Sequence, residues 1–200
     1  MPCQSGTSYI VQSGDTLYTI AQQKLGDGNR WPEIKNSDGS SPDPNQLYPG
    51  EELCLPGLSD QIQEILDAHN NYRTAVGVPV LQWSDNLAAG AQQWADYLAS
   101  IGQLQHSGAP GVGENLAAGT DGSLTVTQLV DIWGDEKRNF IGGIFPNVSS
   151  TGNWEDVGHY TQVVWRNTTQ VGCGVATGNG IIVMVGRYSP PGNVDGQSVY

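Results

Sequence analysis

A run of turn-forming residues at Pro56-Gly57-Leu58-Ser59 constrains this chain more than any other feature, because it divides 200 residues very unequally. Ahead of it lie fewer than 60 residues, too few to bury much apolar surface without help. After it, Ser59 or Asp60 caps a helix whose Ile62, Ile65, Leu66 and His69 recur at helical spacing. The expected organisation is therefore a small domain over residues 1–58 and a larger one over residues 59–200, joined by a very short linker. Cys3 and Cys54 bracket the smaller piece, and a disulfide between them would supply the missing stability. Cys173, in Gly172-Cys173-Gly174, is then a free and buried thiol.

The small piece reads as strand, helix, helix, strand. Tyr9-Ile10-Val11 forms a strand, Ser13-Gly14-Asp15 a turn and cap, and residues 16–24 a helix with Leu17, Ile20 and Ala21 inward. A second short helix spans residues 30–35, with Trp31-Pro32 in its first turn, where proline is tolerated. The turn Tyr48-Pro49-Gly50 then leads into the closing strand Glu52-Leu53-Cys54-Leu55. In the large piece helices come first. One runs over 60–75; a second is capped by Ser84 and ends at Gly102; a third runs from Thr125 to Asn139 with Val126, Leu129, Val130 and Trp133 inward. Strands are expected at 160–165, 171–176 and 181–185, the last an apolar run between Gly180 and Gly186 that suits a central strand covered on both faces. Helices first and strands later indicate an α+β fold.

The net charge of −12 argues against nucleic acid or an anionic membrane as partner, since both would repel the chain. Three Lys/Arg against seven Asp/Glu before residue 59, and five against thirteen after it, show that the acidity is spread along the chain. No apolar run approaches the roughly 18 residues that span a bilayer, and the first residues show neither a basic nor an apolar leader segment. Asn147-Val148-Ser149 and Asn167-Thr168-Thr169 match the N-glycosylation pattern.

Residues 8–56 resemble the LysM domain, through Tyr9-Ile-Val-Gln-Ser-Gly-Asp-Thr-Leu17 at the front and Asn45-Gln-Leu-Tyr-Pro-Gly-Glu-Glu-Leu-Cys-Leu-Pro56 at the back. The resemblance implies binding of an N-acetylglucosamine-containing glycan, peptidoglycan or chitin, in a shallow groove between two loops. On this chain those loops are Gly14, Asp15, Thr16 and Leu17, and Asn45, Gln46, Leu47 and Tyr48. Turn formation is the competing reading for each of them. Trp31 either stacks on sugar or packs in the core.

Residues 60–200 resemble the CAP superfamily of cysteine-rich secretory and pathogenesis-related proteins. The matching strings are His69-Asn-Asn-Tyr-Arg73, His106-Ser107, Gly113-Glu-Asn-Leu-Ala117, residues 133–136, Gly158-His-Tyr-Thr-Gln-Val-Val-Trp165, Gly172-Cys-Gly174 and residues 188–193. This implies a three-layer α-β-α sandwich with a His/Glu tetrad in a cleft, landing on His106, Glu114, Glu136 and His159. Three readings of the tetrad stand side by side. It is a buried polar cluster that pins helices to the sheet, or a divalent-metal site, such as zinc, using His106 and His159, or a hydrolytic centre with one protonated and one ionised carboxyl. A serine nucleophile at Ser107 is disfavoured, since no nucleophile elbow or adjoining base accompanies it. His69 lies on an apolar stripe and reads as a core histidine.

The expected function is that of a secreted or wall-associated monomer binding N-acetylglucosamine-containing glycan. The alternatives are a hydrolase of wall polymer or peptide and a lipid or sterol carrier. The polar character of residues 139–157 weighs against the carrier.

Overall fold

The computed structural model describes residues 7–24, 28–55 and 60–200. The chain divides into two compact units, Met1–Ser59 and Asp60–Tyr200.

In the first unit β1 (Thr7–Ile10) pairs antiparallel with β3 (Glu52–Leu55), and β3 pairs on its other side with the two-residue β2 (Lys35–Asn36). The sheet thus has three strands in the order β1-β3-β2, one more than the sequence indicates. Helix α1 (Leu17–Lys24) follows the first loop, and the second helical turn, Gly28–Glu33, is a 3₁₀ helix with Pro32 inside it. Its core is small: Val11, Leu17, Ile20, Ala21, Ile34, Leu53 and Leu55, flanked by Tyr9, Trp31 and Leu47. Trp31 therefore packs against this core, the structural of its two expected roles. Cys54 is disulfide-bonded. Cys3, the partner expected from the sequence, lies outside the described residues.

The second unit has three layers. A sheet in the order β4-β6-β7-β5 comprises β4 (Gln82–Trp83), β6 (Gln170–Gly178), β7 (Ile181–Ser189) and β5 (Gly113–Thr120). The β4–β6 pair is parallel and the others are antiparallel. On one face lies α3 (Asp85–Ile101), with Ala91, Ala95, Leu98 and Ala99 packed on Leu116, Val183 and Val185. On the other face α2 (Asp60–Ala75), α4 (Val126–Gly134) and α5 (Gly158–Val163) enclose the larger core around Trp133, Tyr160, Trp165, Met184 and Tyr188. Alternate residues of β7 serve the two cores, as expected of a central strand with a side-chain period of two.

Helix α3 lies directly on β6 because Gly172 and Gly174 have no side chains to hold it off. A Cβ on Gly172 would sit 2.3 Å from the Ala88 amide nitrogen, and one on Gly174 would sit 2.3 Å from that of Gln92. Between them Cys173 points into the opposite core, where it is buried and free, and burial pushes its thiol pKa well up. The caps of α3 are those read from the sequence: Ser84 accepts from the Leu87 amide, and Gly102 closes the helix at φ 65°.

In the second unit four elements differ from the sequence reading, two of them the strands β4 and β5, which it did not assign. Residues 160–165, expected as a strand, lie mostly in helix α5, which is only six residues long. Tyr160, Thr161, Gln162 and Val163 are all buried, so no polar face marks the helical period. The helix expected over 125–139 is α-helical only to Gly134 and then tightens into a 3₁₀ turn at Asp135–Asn139. Strand β5 carries no clean alternation, because Asn115, Leu116 and Ala117 are buried in succession.

Candidate functional site

The tetrad resolves into two imidazole–carboxylate pairs. Glu114 lies on the edge strand β5 opposite Arg187 of β7. Its Oε1 accepts from His106 Nδ1 at 3.0 Å and from the Ser107 amide at 2.8 Å, and its Oε2 accepts from the Ser107 hydroxyl. Arg187 Nε stands 3.5 Å from Oε2, and Nη2 of the same guanidinium donates to Ser107 Oγ at 3.2 Å. Burial pushes the Glu114 carboxyl up, but hydrogen bonds from Ser107 and His106 outweigh it and hold the pKa below its ordinary value. An ionised Glu114 does not suit the proton-donating carboxyl of a glycosidase pair.

Glu136 belongs to the 3₁₀ turn after α4 and reaches the start of α5. Its Oε2 accepts from the amides of His159 at 2.9 Å and Tyr160 at 3.1 Å, while Oε1 accepts from His159 Nδ1 at 2.7 Å. The carboxylate thereby satisfies amides that a helix start leaves unpaired, and places negative charge where the helix favours it.

The two pairs meet through consecutive residues of β5. Asn115, next to Glu114, donates from Nδ2 to the His159 carbonyl at 3.1 Å and to the Tyr188 hydroxyl at 3.3 Å. Tyr188 in turn faces His69 Nε2 at 2.9 Å, and His69 Nδ1 donates to the Ile65 carbonyl at 2.7 Å. Since a carbonyl can only accept, His69 carries its proton on Nδ1, and Tyr188 donates to Nε2. His69 is wholly buried, and burial pushes its pKa down to about 4, so it is a neutral core histidine. A fully buried Arg73 completes the scaffold. It donates to the carbonyls of Pro79, Val163, Trp165 and Thr168, three of them at or beyond the C-terminus of α5. Glu136 and Arg73 thus hold the two ends of the short helix that carries His159.

Both imidazoles spend Nδ1 on a carboxylate, which leaves Nε2 as the basic nitrogen of each. His106 is 61% exposed at its side chain and His159 34%, whereas Glu114 and Glu136 are 8% and 19% exposed. Among the described residues no group of three or more His, Cys, Asp and Glu is arranged to hold a metal ion. Both carboxylates are turned to imidazole Nδ1 and backbone amides. Ser107 bonds Glu114 and Arg187 rather than an imidazole, so no serine–histidine relay forms. Asn115, Arg187 and Tyr188 were not singled out in the sequence as site residues, although each lies in or beside a matched string.

In the first unit the two loops expected to meet glycan are joined at their base: the Gly50 amide donates to the Val11 carbonyl and the Val11 amide to the Glu51 carbonyl, both at 2.9 Å. Gly14 turns the first loop with φ +90°. Asp15 accepts from the Tyr9 hydroxyl and the Gln12 amide, both at 2.7 Å, which makes it a turn anchor. Thr16 and Thr19 exchange amide-to-hydroxyl bonds at the start of α1, a reciprocal cap. Leu17, expected among the loop residues, is 2% exposed with its side chain packed in the small core. Asn45, Gln46 and Tyr48 are exposed, Tyr48 by 64%, and Leu47 is half-buried.

Residues 66–188 match the description Cysteine-rich secretory protein family, or CAP, and residues 9–56 match the LysM domain. This chain belongs to the cysteine-rich secretory protein family. Its CAP domain is 45% identical over 139 residues to pathogenesis-related protein 1A of Nicotiana tabacum, covering 69% of this chain and 80% of that protein. A pathogenesis-related protein of the PR-1 type from Sambucus nigra is 42% identical, covering 69% and 81%. Among solved structures, that of NaASP2 with Zn2+ overlays the CAP domain with TM-score 0.61 at 23% identity, covering 71% of this chain and 85% of that one. The likeness shows that the fold is shared.

Proposed function

We propose that this protein is a secreted or wall-associated binder of N-acetylglucosamine-containing glycan, with the LysM domain as the binding module and the CAP domain as its cargo. The single observation that carries the reading is the backbone bridge between Val11 and Gly50-Glu51. It sets the exposed Gly14-Asp15-Thr16 loop beside the exposed Asn45–Tyr48 loop in a domain whose family match is explicit. The exposed side-chain amides of Asn45 and Gln46 suit acetamido groups, and the Tyr48 ring suits a sugar face. No helix among the described residues is long and apolar enough to cross a membrane. Co-sedimentation with insoluble chitin and with peptidoglycan tests the reading directly: retention on at least one is expected, and recovery in the supernatant with both would defeat it.

One observation favours a second property of the CAP domain. Carboxylate hydrogen bonds at Nδ1 are what orient metal-binding imidazoles, so His106 and His159 would hold a divalent ion through Nε2, with Glu114 and Glu136 fixing the rings. A metal bound there would act as a Lewis acid. Titration calorimetry with zinc should give heat that disappears in His106→Ala/His159→Ala; unchanged heat in the double variant would remove the assignment.

A further inference from the structure

The two sequons fall on surface that the fold leaves open. Asn167 stands at an exposed turn between α5 and β6. The turn is tied on both sides, by the Arg166 amide to the Val199 carbonyl, the Thr168 amide to the Trp165 carbonyl and the Thr169 amide to the Ser189 carbonyl. Thr168 points inward, where it is 1% exposed and its hydroxyl donates to the Pro190 carbonyl, so Asn167 is turned the other way. Asn147 is exposed in the same sense: Phe145 and Val148 on either side are buried, and its amide closes a turn on the Ile144 carbonyl. Neither asparagine side chain makes a hydrogen bond among the described residues, so neither amide is needed by the fold. Ile141 and Ile144, close to Asn147 in the chain, are 65% and 51% exposed. The curated relatives of the CAP domain named above are plant proteins, and a disulfide at Cys54 belongs to an oxidising compartment.

We propose that Asn147 and Asn167 are N-linked glycosylation sites. The donor is an oligosaccharide carried on a polyprenyl diphosphate. The side-chain nitrogen attacks the anomeric carbon, the bond from that carbon to phosphate oxygen breaks, and its electron pair leaves with the diphosphate. One amide proton passes to a base of the transferase. The Ser149 and Thr169 hydroxyls complete the acceptor strings. Each is bonded within the folded chain, Ser149 to Thr151 and Thr169 to the Ser189 carbonyl, as fits attachment before folding.

The inference rests on the secreted reading and is tested apart from glycan binding. The full chain is secreted from a eukaryotic host, and its peptides are mass-mapped before and after treatment with a peptide N-glycosidase, which converts a glycosylated Asn to Asp. Wild type should carry an enzyme-releasable oligosaccharide at both positions. Asn147→Gln and Asn167→Gln should each lose one, and the double variant both. Thr169→Ser should keep the Asn167 glycan and Thr169→Val should lose it. Secreted wild type with either asparagine unmodified overturns the assignment of that site. Chitin and peptidoglycan retention, measured on the same protein from a bacterial host, then stands or falls separately.

Discussion

The two units of this chain solve the same stability problem with different means. Among the described residues the LysM unit has seven buried apolar residues in its core, and it has a disulfide at Cys54. The CAP unit leaves its one cysteine free and is held instead by two apolar layers and a buried polar scaffold of Arg73, His69, Tyr188 and Asn115. A cross-link acts chiefly on the unfolded chain, whereas a buried polar scaffold acts on the native state alone and fails sharply when one member is removed. The CAP unit is therefore the one in which a single polar substitution should be severe.

That contrast can be broken at several points. The largest effect is expected from Arg73→Met, which takes the guanidinium donor away from the buried carbonyls of Val163, Trp165 and Thr168 and the part-buried one of Pro79. It should destabilise the CAP unit by about 4 kcal/mol in denaturant titration and leave LysM unfolding unchanged. A loss below about 1 kcal/mol would mean that the carbonyls find other partners. Reduction with a thiol reagent should do the reverse, costing the LysM unit about 3 kcal/mol while the CAP transition holds its midpoint.

Acid should weaken the CAP unit through His69. Its folded pKa lies below the ordinary 6.5, so its contribution is full above 6.5 and lost as pH falls towards about 4, a difference of roughly 3 kcal/mol. His69→Gln should flatten that part of the stability–pH profile, and an unchanged slope would show that the imidazole is not the titrating group. Glu114 adds a smaller, more acidic step. Its contribution is present above the unfolded value near 4.5 and lost as pH falls through the lower folded one, so Glu114→Gln should lose this step. In the LysM unit, Tyr48→Ala should weaken glycan retention about tenfold, about 1.4 kcal/mol, with the melting temperature unmoved.

Legibility in the sequence followed local chemistry. The caps of α3 and the run that became β7 were readable because a side chain or a glycine made the decision within a few residues. Helix α5 was not, since its end groups are satisfied by Glu136 and Arg73 from distant segments, and its buried Tyr, Thr and Val carry strand preference. The positions of His106, Glu114, Glu136 and His159 came from their strings, but their pairing required coordinates. Nothing in the strings tells which oxygen faces which imidazole, or that Asn115 binds the His159 carbonyl.

Neighbouring residues on one strand point to opposite faces, and here each holds one histidine segment: Glu114 the His106 ring, Asn115 the backbone of His159. The two histidine segments are thus anchored to successive residues of one edge strand, whose Cα atoms stand about 3.8 Å apart across a single peptide unit. Covalent geometry therefore fixes the spacing of the two anchor points, so the segments that carry the histidines can change in length without moving one anchor past the other.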